Sequence, residues 1–132
     1  MPEIRIKTQK HTEFIDITEN VRNLIPKEMK NGICNIHSTH TTAGLTINEN
    51  ADPSVLADMI GQLDKMVPWN DNYTHCEGNS AAHLKTSLMG VSQNVQVQDG
   101  NLCLGTWQGI FFCEFDGPRN RCVKLVFLNG NI

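Results

Sequence analysis

An excess of charge of one sign is missing. Eleven Lys and Arg stand against fourteen Asp and Glu in 132 residues, a formal net charge of −3. Such a balance raises no basic field of the kind that nucleic acid or an anionic lipid surface needs. Apolar runs approaching the ~18 residues of a membrane-crossing helix are also missing, and the amino terminus, MPEIRIKTQK, carries no signal-peptide core. The expectation is a cytoplasmic protein with no nucleic-acid or membrane partner.

Cysteine pairing is absent as well. Cys34, Cys76, Cys103, Cys113 and Cys122 are odd in number and no two have C-x-x-C spacing, which argues against a disulfide scaffold or a zinc knuckle and for free thiols. Glycine fingerprints of the nucleophile-elbow, phosphate-loop and dinucleotide types do not occur. His75-Cys76-Glu77 has the H-x-E of zinc deaminases but lacks their P-C-x-x-C. No repeat, linker or low-complexity tract divides the chain, so residues 1–132 read as one domain of ordinary composition, with 39% hydrophobic and 19% charged residues.

Periodicity then supplies the elements. Ile4 and Ile6 alternate with polar residues and Phe14–Ile17 follow, an opening pair of strands. Thr18 reads as the cap of a short helix through Val21 and Leu24, with Pro26 interrupting it. Ile33–His40 and Leu45–Asn48 read as strands. Asp52-Pro53 signals a helix whose Leu56, Ile60, Leu63 and Val67 share one stripe. Ser80 reads as the cap of a second helix, Ala81–Met89, closed by Gly90. Beyond it the period falls to two: Val95 and Val97, an Asp99-Gly100 hairpin signal, Leu102 and Leu104, Ile110–Phe115 and Val123–Leu128. Strands, helices, then strands predict an α+β fold, a largely antiparallel sheet with helices on one side.

Three segments are too polar for a bland scaffold. In the first, His37-Ser38-Thr39-His40-Thr41-Thr42 running on to Ile47-Asn48-Glu49-Asn50, strand alternation with Ile36 turns His40 inward; a hydroxyl-rich edge strand is the plain alternative. In the second, Tyr73–Lys85, His83 and Lys85 fall near the amino end of a helix, where free N–H groups and the dipole favour an anion; an exposed His and Lys on a short helix is the alternative. The third, Gly105-Thr106-Trp107-Gln108-Gly109 into Ile110–Phe115, is apolar enough for burial on both faces. Glu114 there must pair with a cation, hold a metal or titrate upward, and Arg119 and Arg121 are the nearby cations. Trp107 reads as a core residue. Four of the five histidines lie in the first two segments. Their spacing matches no strong metal motif, and ligation by His40, His75 and His83 stays open.

THTTAG with INENADP, EGNSAAHLKTSLMG, and DGNLCLGTWQGIFFCEFDGPR together closely resemble the YjbQ-like family over residues 12–128. That resemblance implies one α+β domain assembled as a homotrimer, a site around His40 and His83 with His75 near, and a secondary thiamine-phosphate synthase activity. In that reaction a thiazole phosphate nitrogen displaces diphosphate from an aminopyrimidine diphosphate. Holding two phosphorylated rings in attack geometry and stabilising the departing diphosphate are the physical demands. Lys85, Arg119, Ser80, Gln108 and Thr41 are the anion-binding candidates. His40 and His83 would bind a metal or donate a proton, and Glu114 or Glu49 would orient an imidazole. A histidine-bound metal would be zinc or another transition metal rather than Mg²⁺, and would favour a hydrolase of a small phosphorylated or carbonyl compound. A non-catalytic metabolite-binding trimer is the remaining alternative.

Overall fold

In a computed structural model, which describes residues 1–130, the chain runs β1 (Glu3–Lys7), β2 (Glu13–Asp16), α1 (Thr18–Leu24), β3 (Gly32–Ser38), β4 (Ala43–Glu49), α2 (Pro53–Met66), α3 (Ser80–Met89), β5 (Ser92–Gln98), β6 (Asn101–Leu102), β7 (Gln108–Glu114) and β8 (Asn120–Asn129). The fold is α+β, and every strand pair is antiparallel. The strands form two sheets rather than one, ordered β1-β8-β3-β5-β6 and β2-β7-β4.

Strand β7 shows why. Its stretch Ile110–Glu114 is buried without alternation, so a single sheet with one wet face could not hold it. Ile110 and Phe112 point into a layer shared with Cys34, Ile36, Val95, Val123 and Leu125 of the larger sheet. Phe111, Cys113 and Phe115 point the other way, under Leu63 of α2 and Ala82 of α3. The molecule is therefore large sheet, small sheet and the helices α2 and α3, in that order, while Val21 of α1 packs into the layer between the sheets. Val95 and Val97 alternate with exposed residues on β5 because the large sheet is covered on one side only.

Several boundaries move for local reasons. Thr18 is not the cap but the first residue of α1. Its hydroxyl donates to Asp16 Oδ1 and accepts the Ile110 N–H, so it ties α1 to β7. Ser80 likewise opens α3, and Asn79 holds the cap position. Asp52 does cap α2, its Oδ1 accepting from Ser54 N–H at 2.9 Å. Strand β3 stops at Ser38, short of His40, because the Ser38 hydroxyl donates to Ala43 O and accepts from His40 N–H, bending the chain. Leu104 lies outside the two-residue β6. Trp107 is not in the core: it is 63% exposed at the tip of the β6–β7 connection.

Helix α3 presses on β4 at Gly44. A Cβ there would stand 2.6 Å from Gly90 O and 3.3 Å from Met89 Cβ, while Leu45 N–H donates to that same Gly90 carbonyl at 2.9 Å. Only glycine allows this approach. None of the described helices is long and apolar enough to cross a membrane.

Candidate functional site

Three connections meet at one end of the sandwich. They are residues 39–42 between β3 and β4, the approach to α3 ending at Asn79, and the turn after β7. Between them lies a cleft of about 500 Å³ lined by Thr41, His40, His75, His83, Arg119 and Arg121, among others. A second hollow of about 680 Å³ continues from it past His40 and His83 towards His37 and Thr86. Ser80 borders the outer extension beside His75 and His83. Histidines far apart in the chain thus open on one space.

The rings are not equivalent. His75 and His83 stand edge to face with centroids 5.6 Å apart, on the exposed side. His40 is half-buried, edge-on to Phe112, and its Nε2 accepts the backbone N–H of Cys122 at 2.9 Å. Burial and the Arg121 charge push the His40 ring below the usual imidazole value, outweighing the opposing pull of the Cys122 bond and Glu114.

Behind His40 is a buried ion pair. The Arg121 guanidinium donates to both oxygens of Glu114 and to Thr42 Oγ1 at 2.8 Å. Thr8 Oγ1 and Asp116 N–H complete the carboxylate's shell. Burial alone would raise Glu114, but the Arg121, Asp116 and Thr8 hydrogen bonds overcome it and hold the carboxyl below its ordinary range. Glu114 is therefore consumed by Arg121 and does not orient an imidazole. Nearer the cleft, Asp116 Oδ2 accepts from Arg119 Nη2 at 3.0 Å and from Asn79 Nδ2 at 2.9 Å. The half-exposed Arg119 keeps further donors for a ligand.

Three sequence candidates lie elsewhere. Lys85 faces away from His83, buried with its ammonium on Asp64 in a separate hollow beside His11 and Trp69. Glu49 and Gln108 pair across β4 and β7 at the end of the small sheet opposite Ala43 and Glu114. That is six residues along β4, roughly 20 Å away. There Gln108 Oε1 accepts from Gly105 N–H, so it shapes its own turn. Asn79 and Asp116 are the cleft residues that sequence reasoning missed. Asn79 was hidden behind Ser80 as a rival cap, and Asp116 stands in the Asp-Gly-Pro turn after β7 with no local pattern to single it out.

The metal that the resemblance implies fits this donor set poorly. Among the described residues no three His, Cys, Asp or Glu side chains gather closely enough to hold an ion, and His40 has its only lone pair on Cys122 N–H.

Residues 2–130 match the family model described as "UPF0047 protein YjbQ-like". The chain is 56% identical over 118 residues to UPF0047 protein MJ1081 of Methanocaldococcus jannaschii, covering 89% of this chain and 86% of that one. With UPF0047 protein YugU of Bacillus subtilis the identity is 52% over 120 residues, 89% and 91% of the two chains. Among solved structures, a YjbQ/UPF0047 family protein of Clostridium acetobutylicum superimposes with a TM-score of 0.94 at 48% identity, over 97% of this chain and 100% of that one. A conserved hypothetical protein of Thermus thermophilus gives 0.91 at 38% identity, with the same coverage. A family signature split over three segments, a matching model over nearly the full length and a shared backbone agree: the chain belongs to the YjbQ-like UPF0047 family.

Proposed function

We propose that the histidine-lined cleft binds small phosphorylated metabolites and carries out diphosphate displacement of the thiamine-phosphate synthase type. The observation that carries this reading is the meeting of His40, His75 and His83 with Arg119 beside the amino end of α3. A cleft with several N–H donors and a half-exposed guanidinium suits phosphoryl oxygens. In the reaction, the thiazole nitrogen forms a bond to the aminopyrimidine methylene as the carbon–oxygen bond to diphosphate breaks. The electron pair leaves on the diphosphate oxygen, and the thiazole nitrogen takes the positive charge. Arg119, His75 and His83 stabilise the leaving group, and Thr41 and Ser80 contribute hydroxyl contacts at its borders. Charge stabilisation and positioning are the whole of the protein's task in such a step, and no part of it is assigned to a metal.

The reading includes a cytosolic homotrimer. Exposed Trp107, Leu88 and Leu84, at 63%, 57% and 47%, are apolar surface that assembly would cover, and the described cysteines are all free thiols.

The test mixes the purified protein with both phosphorylated precursors and follows thiamine phosphate, with His83→Ala as control. Product formed by the parent protein and at least about tenfold less by the variant is expected, the loss of one charge-assisted contact. Equal product from both would overturn the assignment of the cleft, and no product from either would overturn the reaction.

A further inference from the structure

We infer that His40 serves the cleft as a neutral imidazole with its proton fixed on Nδ1, donating to a ligand oxygen, and that it is not a metal ligand. The inference rests on the phosphorylated-ligand reading above and names the atom that meets the ligand.

The backbone of Cys122 fixes which nitrogen of the ring carries the proton. A backbone N–H can only donate, so the Nε2 that it meets at 2.9 Å must carry the lone pair. A neutral imidazole with an unprotonated Nε2 holds its proton on Nδ1. A metal on Nε2 would have to displace the Cys122 bond. A metal on Nδ1 would first have to move the proton to Nε2, setting two N–H groups against each other. Neither route is open while β8 stays in place. Among the described residues Nδ1 has no hydrogen-bond partner within the protein, so its N–H is the polar group that His40 offers to the cleft it lines.

The surroundings hold both ends of this arrangement. Arg121 immediately precedes Cys122, and its guanidinium is anchored on Glu114. The same guanidinium donates to Thr42, two residues after His40. One buried ion pair therefore fixes the strand that supplies the N–H and the loop that carries the ring. Phe112 meets the ring edge to face from below, at 6.4 Å between centroids. Arg121 is thus a positioning residue for His40. A donor held in this way spends little on reorganisation when an oxyanion arrives.

The experiment uses the whole chain, uniformly ¹⁵N-labelled and free of added metal. Long-range ¹H–¹⁵N spectra of the imidazoles give the tautomer, with the His40 signals identified by their loss in His40→Gln. Protonated Nδ1 and unprotonated Nε2 are expected; the opposite tautomer would overturn the inference, whatever the variants do. Calorimetric titration with inorganic diphosphate then separates two substitutions. His40→Gln keeps an acceptor for Cys122 N–H and loses the Nδ1 donor, so diphosphate binds roughly ten- to hundred-fold more weakly at a near-parental melting temperature. His40→Asn returns an N–H at the Nδ1 position and gives up the acceptor, so binding stays within a few-fold while melting falls. Titration with Zn²⁺ alone should not distinguish either variant from the parent. Loss of Zn²⁺ and diphosphate binding together in both variants would make His40 a metal ligand. Expected tautomer without diphosphate binding by the parent chain would instead overturn the functional reading, and with it the oxygen assigned to this donor.

Discussion

The small sheet has two polar ends that behave differently. At the Ala43–Glu114 end, side chains far apart in sequence converge, and an ion pair buried behind them leaves His40, His75, His83 and Arg119 facing open space. At the Glu49–Gln108 end, the polar groups bond one another. Asp16 accepts from Thr18 and Asn50, and Gln108 caps its own turn. Both ends carry parts of the signature that marks the family. Only the first gathers three imidazoles around one cleft, so a distinctive motif alone does not reveal whether its polarity serves a ligand or a fold.

Substitutions can break or sharpen that contrast. The largest effect is expected behind the cleft: Glu114→Ala leaves Arg121 buried and uncompensated, costing about 3–5 kcal/mol in denaturant unfolding. Asp16→Ala, at the other end, loses hydrogen bonds at a partly exposed carboxylate and should cost about 1–2 kcal/mol. Equal costs would erase the difference between a buried foundation and a surface brace. Ligand affinity comes next. Arg119→Ala should weaken inorganic diphosphate binding by roughly tenfold or more in calorimetry, whereas Gln108→Ala should leave it unchanged; a reversal would move the site to the opposite end.

The smallest effect is in pH. The folded His40 ring is held below its ordinary value of 6.5, so the unfolded chain takes up the proton first. Stability therefore falls as pH drops below 6.5 towards the folded value, and His40→Gln should flatten that segment of the curve. Glu114 is also depressed, from an ordinary 4.5. Its contribution is complete above that value and drains away as pH falls through the folded one. A separate, more acidic limb should therefore persist in His40→Gln, and its absence would mean that Glu114 and His40 titrate as one unit.

Much of the secondary structure was legible. The Asp52-Pro53 start, the Gly90 stop and the Asp99-Gly100 turn follow from side-chain acceptors and positive φ, which are local properties. Burial of β7 on both faces could be read too, from the unbroken apolar run Ile110–Cys113. What covers those faces could not, because sheet partition depends on contacts between distant strands. Within the site, Lys85 shows a signal present but underused. It stands two residues after His83, and helical residues at that spacing do not share a face. Register hid the fate of Glu49 and Gln108: both are polar and near signature residues, but pairing β4 with β7 carries them to the far end together. The Cys122–His40 bond left no trace in composition, because a backbone donor looks alike in every residue.

The contact at Gly44 sets the aperture of the molecule. Since α3 rests directly on β4 there, the gap between the His40 loop and the His83 helix is calibrated by a single hydrogen where other residues carry a methyl. One carbon added at this hinge would jack the helix outward and open the jaws without touching any group that grips the guest.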